Sequence, residues 1–277
     1  SLTLGSVEVT LLDLVEAYGA FASGGMQVES HSVGRVVDDE GVDLYASPPY
    51  VSQRVLSASV ASLVTDVLAD DAARRPAFGA SSELETPFGA AVKTGTTTDF
   101  RDNWTVGYTS GYVVGVWVGN ADGTEMKHVS GVDGAAPIWH DVMLAVQRED
   151  PEPFAMDPCL VEVLVCPDSG LLPGSACSHS VSEWFLPENV PTDVCDRHYL
   201  MEVDAATGQR ADENTPRSRI VTRRMTAWPV EAQAWAVERG LMEIWNQPAG
   251  ESLTGDILKI TYPAPGAVYC LSNDMPA

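Results

Sequence analysis

Apolar residues first recur at helical spacing in "VTLLDLVEAYGAFASGG", where Leu11, Leu14, Val15, Tyr18 and Phe21 or Ala22 share one face. Thr10 is placed to cap that helix, and Gly24-Gly25 to stop it. The pattern returns in "SASVASLVTDVLADDA", with Val60, Leu63, Val64, Val67 and Leu68 on one side and a cap near Ser57. Between the two, "SVGRVVDDEGVDLYA" reads as a hairpin turning at Asp39-Glu40-Gly41. The period then shortens. "GAAVKTG" is apolar up to Lys93, and "NWTVGYT" and "GYVVGVWVGN" alternate on either side of a turn at Thr109-Ser110-Gly111. These runs predict an antiparallel meander. "AAPIWHDVMLAVQRE" goes back to helical spacing, with Pro137 near the first turn, where proline is tolerated. Helices on both sides of a meander predict an α+β fold, an antiparallel sheet flanked by helices.

The pattern loosens at "EDPEPFAMDP", a loop rich in proline and acid, and a domain boundary is placed there. Residues 1–150 form the first predicted domain, 151–251 a small cysteine-containing, β-rich accessory region, and 252–277 the start of a third segment. The accessory region holds short strands at "VEVLVC" and "YLMEVD" and a short helix at "PVEAQAWAVERG". "VEVLVCPDSGLLP" and "YLMEVDAATGQRA" look alike, which suggests a small duplicated hairpin. The last segment, "DILKITYPAPGAVYCLSNDMPA", begins as a strand.

Charge narrows the partners. The net charge of -23 repels phosphate and so disfavours nucleic acid and anionic membrane surfaces. No apolar run approaches the length of a membrane-spanning helix, about 20 residues. The start, "SLTLGSVEVT", has neither a basic leader nor an initiator methionine, and we expect the chain to be a piece of a longer protein.

Two groups of residues can carry chemistry. In Lys93-Thr94-Gly95-Thr96, an apolar strand runs into an ammonium and hydroxyls, with Lys93 and Gly95 on one face and Thr94 on the other. That combination suits a carboxylate. Gly95 leaves room for a substrate backbone to pair along the strand, and the Thr96 amide could donate to a developing oxyanion. A strand ending in a Thr-rich turn is the plain alternative. The second group is the cysteines: Cys159, Cys166, Cys177 and Cys195 cluster, and Cys270 stands apart. Cys177-x-His179 and Cys195-x-x-His198 could ligate zinc, with Cys166 as a further candidate. A disulfide framework among Cys159, Cys166, Cys177 and Cys195 competes with that reading.

Lys-Thr-Gly is one signature of the serine penicillin-recognising enzymes, and the neighbourhood fits. "LGSVEVTLLDLVEAYGAFASGGM" resembles the helix preceding that strand in penicillin-binding transpeptidases. "KTGTTTDFRDNWTVGYTSGYVVGVWVGNADG" resembles their strands from the motif onward, and "VSGVDGAAPIWHDVM" their closing helix. "VCPDSGLLPGSACSHSVSEWFLPENVPTDVC" is similar to the tail of class A penicillin-binding proteins of the 1C type, and "ILKITYPAPGAVYCLSNDMP" to the start of their β-sandwich.

The resemblance implies a D,D-transpeptidase. A serine attacks a peptidoglycan stem peptide, an amine of a second stem resolves the acyl-enzyme, and β-lactams acylate the same serine. It implies Lys93 and Thr96 as catalytic and Thr94, Gly95, Thr96 and Thr97 as substrate-binding. It also implies no cofactor, an extracytoplasmic location with membrane contact only through an N-terminal anchor, a glycosyltransferase domain in the parent, and other cell-wall synthesis proteins as partners. That compartment favours disulfides over zinc. In "DFRDNW", Asp102 and Trp104 match recurring positions, while Arg101 is expected to pair with a surface acid.

The nucleophile is missing. Three residues before Lys93, Lys127 and Lys259 stand Ala90, Thr124 and Asp256, so the family's Ser-x-x-Lys does not occur; neither does its Ser-x-Asn. A nucleophile and its activator must share one site, so this piece alone is expected to be inactive. Two rivals remain: a non-catalytic module binding cell-wall glycan or a partner, and a soluble serine β-lactamase, which would need the missing motif.

Overall fold

A computed structural model describes residues 7–47, 52–127 and 129–241. The sandwich segment expected over 252–277, with Lys259 and Cys270, lies outside the described residues. The chain divides into two compact units, one of Ser1–Leu172 with His179–Asp193, the other of Pro173–Ser178 with Val194–Ala277.

The first unit is built on a three-stranded antiparallel sheet in the order β3 (Ala91–Thr96), β4 (Asp102–Tyr108) and β5 (Val113–Gly119). The expectation of an antiparallel sheet flanked by helices holds. Helix α1 (Leu11–Ala22) begins at Thr10, whose side chain accepts from the Asp13 amide, as the sequence indicates. Helix α2 (Ala58–Ala69) is capped by Ser57 in the same way, through the Val60 amide. It covers the whole apolar stripe but ends before the stretch read as one helix, which runs on to Ala72, because the Asp70 side chain accepts from the Ala73 amide and starts a separate helix, α3 (Asp71–Phe78). The first hairpin pairs β1 (Arg35–Val37) with β2 (Asp43–Ala46). Helix α4 (Ala135–Val146) closes the meander.

Strand period decides which helix covers which face. Val106 pairs with Gly115 and Gly107 with Val114, and neighbouring positions point to opposite sides. A methyl on Gly115 would lie 2.5 Å from Val15 of α1, and one on Gly107 would lie 2.5 Å from the Trp139 ring of α4. Both glycines are there so that a helix can approach the sheet closely. On the α4 side, Leu84, Ala90, Val92, Val114, Ala136, Trp139 and Met143 form the core. Trp139 is fully buried; at about 25 cal/mol per Å² its burial contributes on the order of 5 kcal/mol before entropy is counted. On the α1 side, Tyr108 stacks edge-on with Tyr18 and Phe154. Its hydroxyl meets that of Thr65 at 2.9 Å, which joins α2 to the end of β4. Burial pushes the Tyr108 phenol above its ordinary pKa, and the Thr65 bond opposes that rise.

Two further hairpins follow, β6 (Val161–Val165) with β7 (Val181–Phe185) in the first unit, and β8 (His198–Asp204) with β9 (Ile220–Thr226) in the second. The likeness of their sequences extends to the turns. After β6 the Gly170 amide donates to the Cys166 carbonyl and the Cys166 amide to Leu171; after β8 the Gly208 amide donates to Asp204 and the Asp204 amide to Gln209. Gly170 and Gly208 take φ of +69° and +73°, a conformation that favours glycine. The second unit ends in helix α5 (Val230–Glu238). No helix among the described residues is long and apolar enough to cross a membrane.

Candidate active site

Strand β3 lies at the edge of its sheet, with β4 on one side and no strand beyond it among the described residues. Ala91 and Val92 are buried, and the strand emerges at Lys93, which is exposed. Register puts Lys93 opposite Val106, Thr94 opposite Thr105, Gly95 opposite Trp104 and Thr96 opposite Asn103. The Lys93 ammonium donates to the Thr94 carbonyl at 2.5 Å, so the side chain lies back along the strand. A methyl on Gly95 would meet only the Trp104 side chain, at 3.5 Å; the open space above this residue is a property of the sheet edge.

A segment from Val129 to Gly134 runs beneath this strand and pins it. The Gly131 amide donates to Thr96 Oγ1 at 2.9 Å, the Gly131 carbonyl accepts from Thr105 Oγ1 at 3.2 Å, and Asn103 Nδ2 donates to the Val129 carbonyl at 2.8 Å. Gly131 is buried and tolerates nothing larger, since a Cβ there would lie 2.6 Å from the Gly95 carbonyl. Because the Thr96 hydroxyl accepts from an amide, its own proton is left to donate to a ligand. Sequence reading does not single out Gly131 or Asn103; the signal for Gly131 was a pair of glycines shortly before α4.

Thr97 has a different position. Its hydroxyl donates to the Asp102 carboxylate and accepts from the Asp102 amide, both at 2.9 Å, so it is engaged inside the β3–β4 hairpin. The other oxygen of Asp102 accepts from Trp117 Nε1 at 2.9 Å. Asp102 is therefore the clamp of this connection, and Arg101 pairs with Asp99 and Glu125, the surface role expected for it. Asp99 and Phe100 adopt φ of 60° and 55°, costly for a bulky residue, and the clamp is what holds them there. Lys93, Thr94, Gly95 and Thr96 thus share one exposed strand end that presents an ammonium and an oriented hydroxyl, a receptor suited to a carboxylate.

The cysteines are gathered differently from the expectation. No disulfide joins Cys159, Cys166, Cys177 and Cys195 in this structure. Cys159 is exposed, and its bond to Asp157 holds its thiol above the ordinary pKa. Within the second unit, Cys177, Cys195 and His198 converge. His179, the histidine paired with Cys177 by spacing alone, belongs to the first unit.

The family description "Penicillin binding protein transpeptidase domain" matches residues 1–143, and "Penicillin-binding protein 1A, C-terminal domain" matches residues 157–200. Penicillin-binding protein 1A of Aquifex aeolicus is 37% identical over 64% of this chain and 24% of its own length. Penicillin-binding protein 1C of Escherichia coli is 27% identical over 85% of this chain and 30% of its own. The chain therefore spans about a third or less of these relatives. The crystal structure of penicillin-binding protein 1A from Haemophilus influenzae is similar in fold, with a TM-score of 0.62 at 21% identity over 70% of this chain and 34% of that one.

Proposed function

The chain belongs to the penicillin-binding protein transpeptidase family, and on that premise we propose that it supplies one wall of a serine D,D-transpeptidase site. The attacking serine and its lysine come from polypeptide outside this sequence, since Ser-x-x-Lys does not occur in it. The serine attacks the carbonyl of the penultimate D-alanine of a stem peptide, and the terminal D-alanine leaves as an amine. An amine of a neighbouring stem then takes the acyl group and regenerates the serine. β-Lactams acylate the same hydroxyl.

In this reading Lys93 places positive charge beside the reacting centre. Thr96 donates its remaining proton to the terminal carboxylate. The substrate backbone adds to the open edge of β3, and Gly95 gives it room. Thr97 acts through the hairpin and touches no substrate. The observation carrying the proposal is the edge placement of β3, with Lys93 exposed and the Thr96 hydroxyl oriented by the Gly131 amide. The parent acts outside the cytoplasm and also carries a glycosyltransferase domain.

Labelled fluorescent penicillin tests this on the parent protein. Acylation is expected for the unaltered parent, and Lys93→Ala should slow it by roughly 100-fold, the usual loss of one electrostatic partner of a reacting group. Equal rates would remove Lys93 from the mechanism. A parent that resists labelling while binding isolated peptidoglycan would establish the binding-module reading in its place.

A further inference from the structure

The ligand atoms of Cys177, Cys195 and His198 all lie within 4.8 Å of one another. Both thiol sulfurs face the same ring nitrogen. His198 Nδ1 is 3.5 Å from Cys177 Sγ and 3.4 Å from Cys195 Sγ. One imidazole nitrogen carries one proton or one lone pair, directed in the ring plane, and it cannot point at two sulfurs at once. A cation at the centre resolves the geometry. With Zn–S of about 2.3 Å and Zn–N of about 2.0 Å at tetrahedral angles, sulfur and nitrogen stand about 3.5 Å apart. The observed separations equal that value within the spread of such sites.

The local chain is shaped for the same purpose. Cys195-Asp196-Arg197-His198 places two ligands three residues apart at the entry to β8, where the strand fixes the histidine. Cys177 closes a tight turn: its amide donates to the Gly174 carbonyl at 3.0 Å, and the Gly174 amide donates back to Cys177 Sγ at 3.3 Å. A backbone N–H aimed at a cysteine sulfur favours the thiolate, the form that binds metal. Gly174 also lets the two loops approach, since a methyl there would lie 3.1 Å from Val194.

We propose that Cys177, Cys195 and His198 of the second unit bind one structural zinc ion. The site stabilises the second unit, whose β8–β9 hairpin leaves Tyr199, Leu200 and Val221 exposed. It is independent of the transpeptidase reading, since it shares no residue with β3.

Purified 277-residue chain, refolded with zinc and dialysed, should retain one zinc ion per molecule by elemental analysis. Cobalt substitution should give tetrahedral d–d bands and sulfur-to-metal charge transfer. Their intensity counts the thiolates, and at least two, from Cys177 and Cys195, are expected. Cys195→Ser and His198→Ala should lose the metal, and Cys159→Ser should keep it. Because a ligand variant could fail to fold for other reasons, the unaltered chain is also treated with a strong chelator. Loss of the circular dichroism of the second unit, restored by zinc but not magnesium, supports the site. A Cys177–Cys195 disulfide in freshly isolated protein, with no zinc retained after reduction, overturns it, as does metal binding unaffected by both ligand variants.

Discussion

Adding one methyl group at Gly131 should damage the candidate site from behind, by pressing on the Gly95 carbonyl and the Thr96 bond. Its φ is not in the left-handed region, so alanine costs nothing in backbone conformation there. The cost is steric. The new Cβ would sit 2.6 Å from the Gly95 carbonyl and 3.0 Å from that of Trp104, both backbone atoms with no rotamer to yield. Ordinary van der Waals separation requires roughly 1 Å of relief. Overpacking of this kind costs about 1–3 kcal/mol. The same movement stretches the Gly131–Thr96 bond, now 2.9 Å, whose loss costs about 1 kcal/mol. Alanine returns up to about 1 kcal/mol by restricting the unfolded chain. The balance is a loss of about 2 kcal/mol, or roughly 4–8 °C in the melting transition of the first unit. In the parent, a shift of about 1 Å in the Lys-Thr-Gly strand slows acylation on the order of 100-fold. Differential scanning calorimetry and the penicillin-labelling rate read the two effects separately. A Gly131→Ala protein with wild-type melting and wild-type acylation would refute the claim that this segment positions the strand.

Gly95→Ala provides the converse, because its methyl meets only Trp104 at 3.5 Å; melting should stay within about 1 °C while acylation by a stem-peptide mimic falls, and an unchanged acylation rate would mean that substrate does not approach along the strand edge. Asp102→Ala removes the acceptor of Thr97 and Trp117; the loss should be about 1–3 kcal/mol, with amide exchange accelerated at Asp99 and Phe100, and wild-type exchange there would show that something else holds the turn. Asp204 in the second unit is held below the ordinary carboxylate range, first by its bond to Arg219 and then by the Ala206 amide. A depressed folded-state pKa contributes stability that is present above the unfolded value, about 3.9, and lost as pH falls through the folded one. Asp204→Asn should therefore flatten the acid limb of the melting curve below about pH 4, and an unchanged limb would exclude this pair as its source.

What the sequence revealed follows from how local each cause is. Helix α1 is written in adjacent residues: a Thr10 cap, an apolar stripe and a double glycine. The meander is equally local, since alternation along β4 and β5 fixes both strands and their faces. The end of α2 was not legible, because Asp70 reads as one more polar helical position until its side chain is seen accepting from Ala73. Strands β7 and β9 escaped for another reason: neither has a buried residue, and their half-buried and exposed positions do not alternate. At the candidate site, Lys93 to Thr96 stand out through their order together with the stretches around them. The Gly131 contact joins residues 35 apart in sequence, and nothing in the composition of either segment points to the other. Spacing likewise treats His179 and His198 alike, and only the fold puts His198 in the same unit as Cys177 and Cys195.

The edge of β3, unpaired among the described residues, has a cost before any substrate arrives. A strand with one unpaired side offers its amides and carbonyls to any other extended chain, including a second copy of itself. A lysine at that edge is the common deterrent, since like charges meet when two such edges approach. Lys93 is the one charged residue of β3, so the position proposed to serve acyl transfer would also discourage edge-to-edge pairing. Replacing it with alanine disarms both, and the variant needed to test the chemistry should self-associate at concentrations where the unaltered protein stays monodisperse.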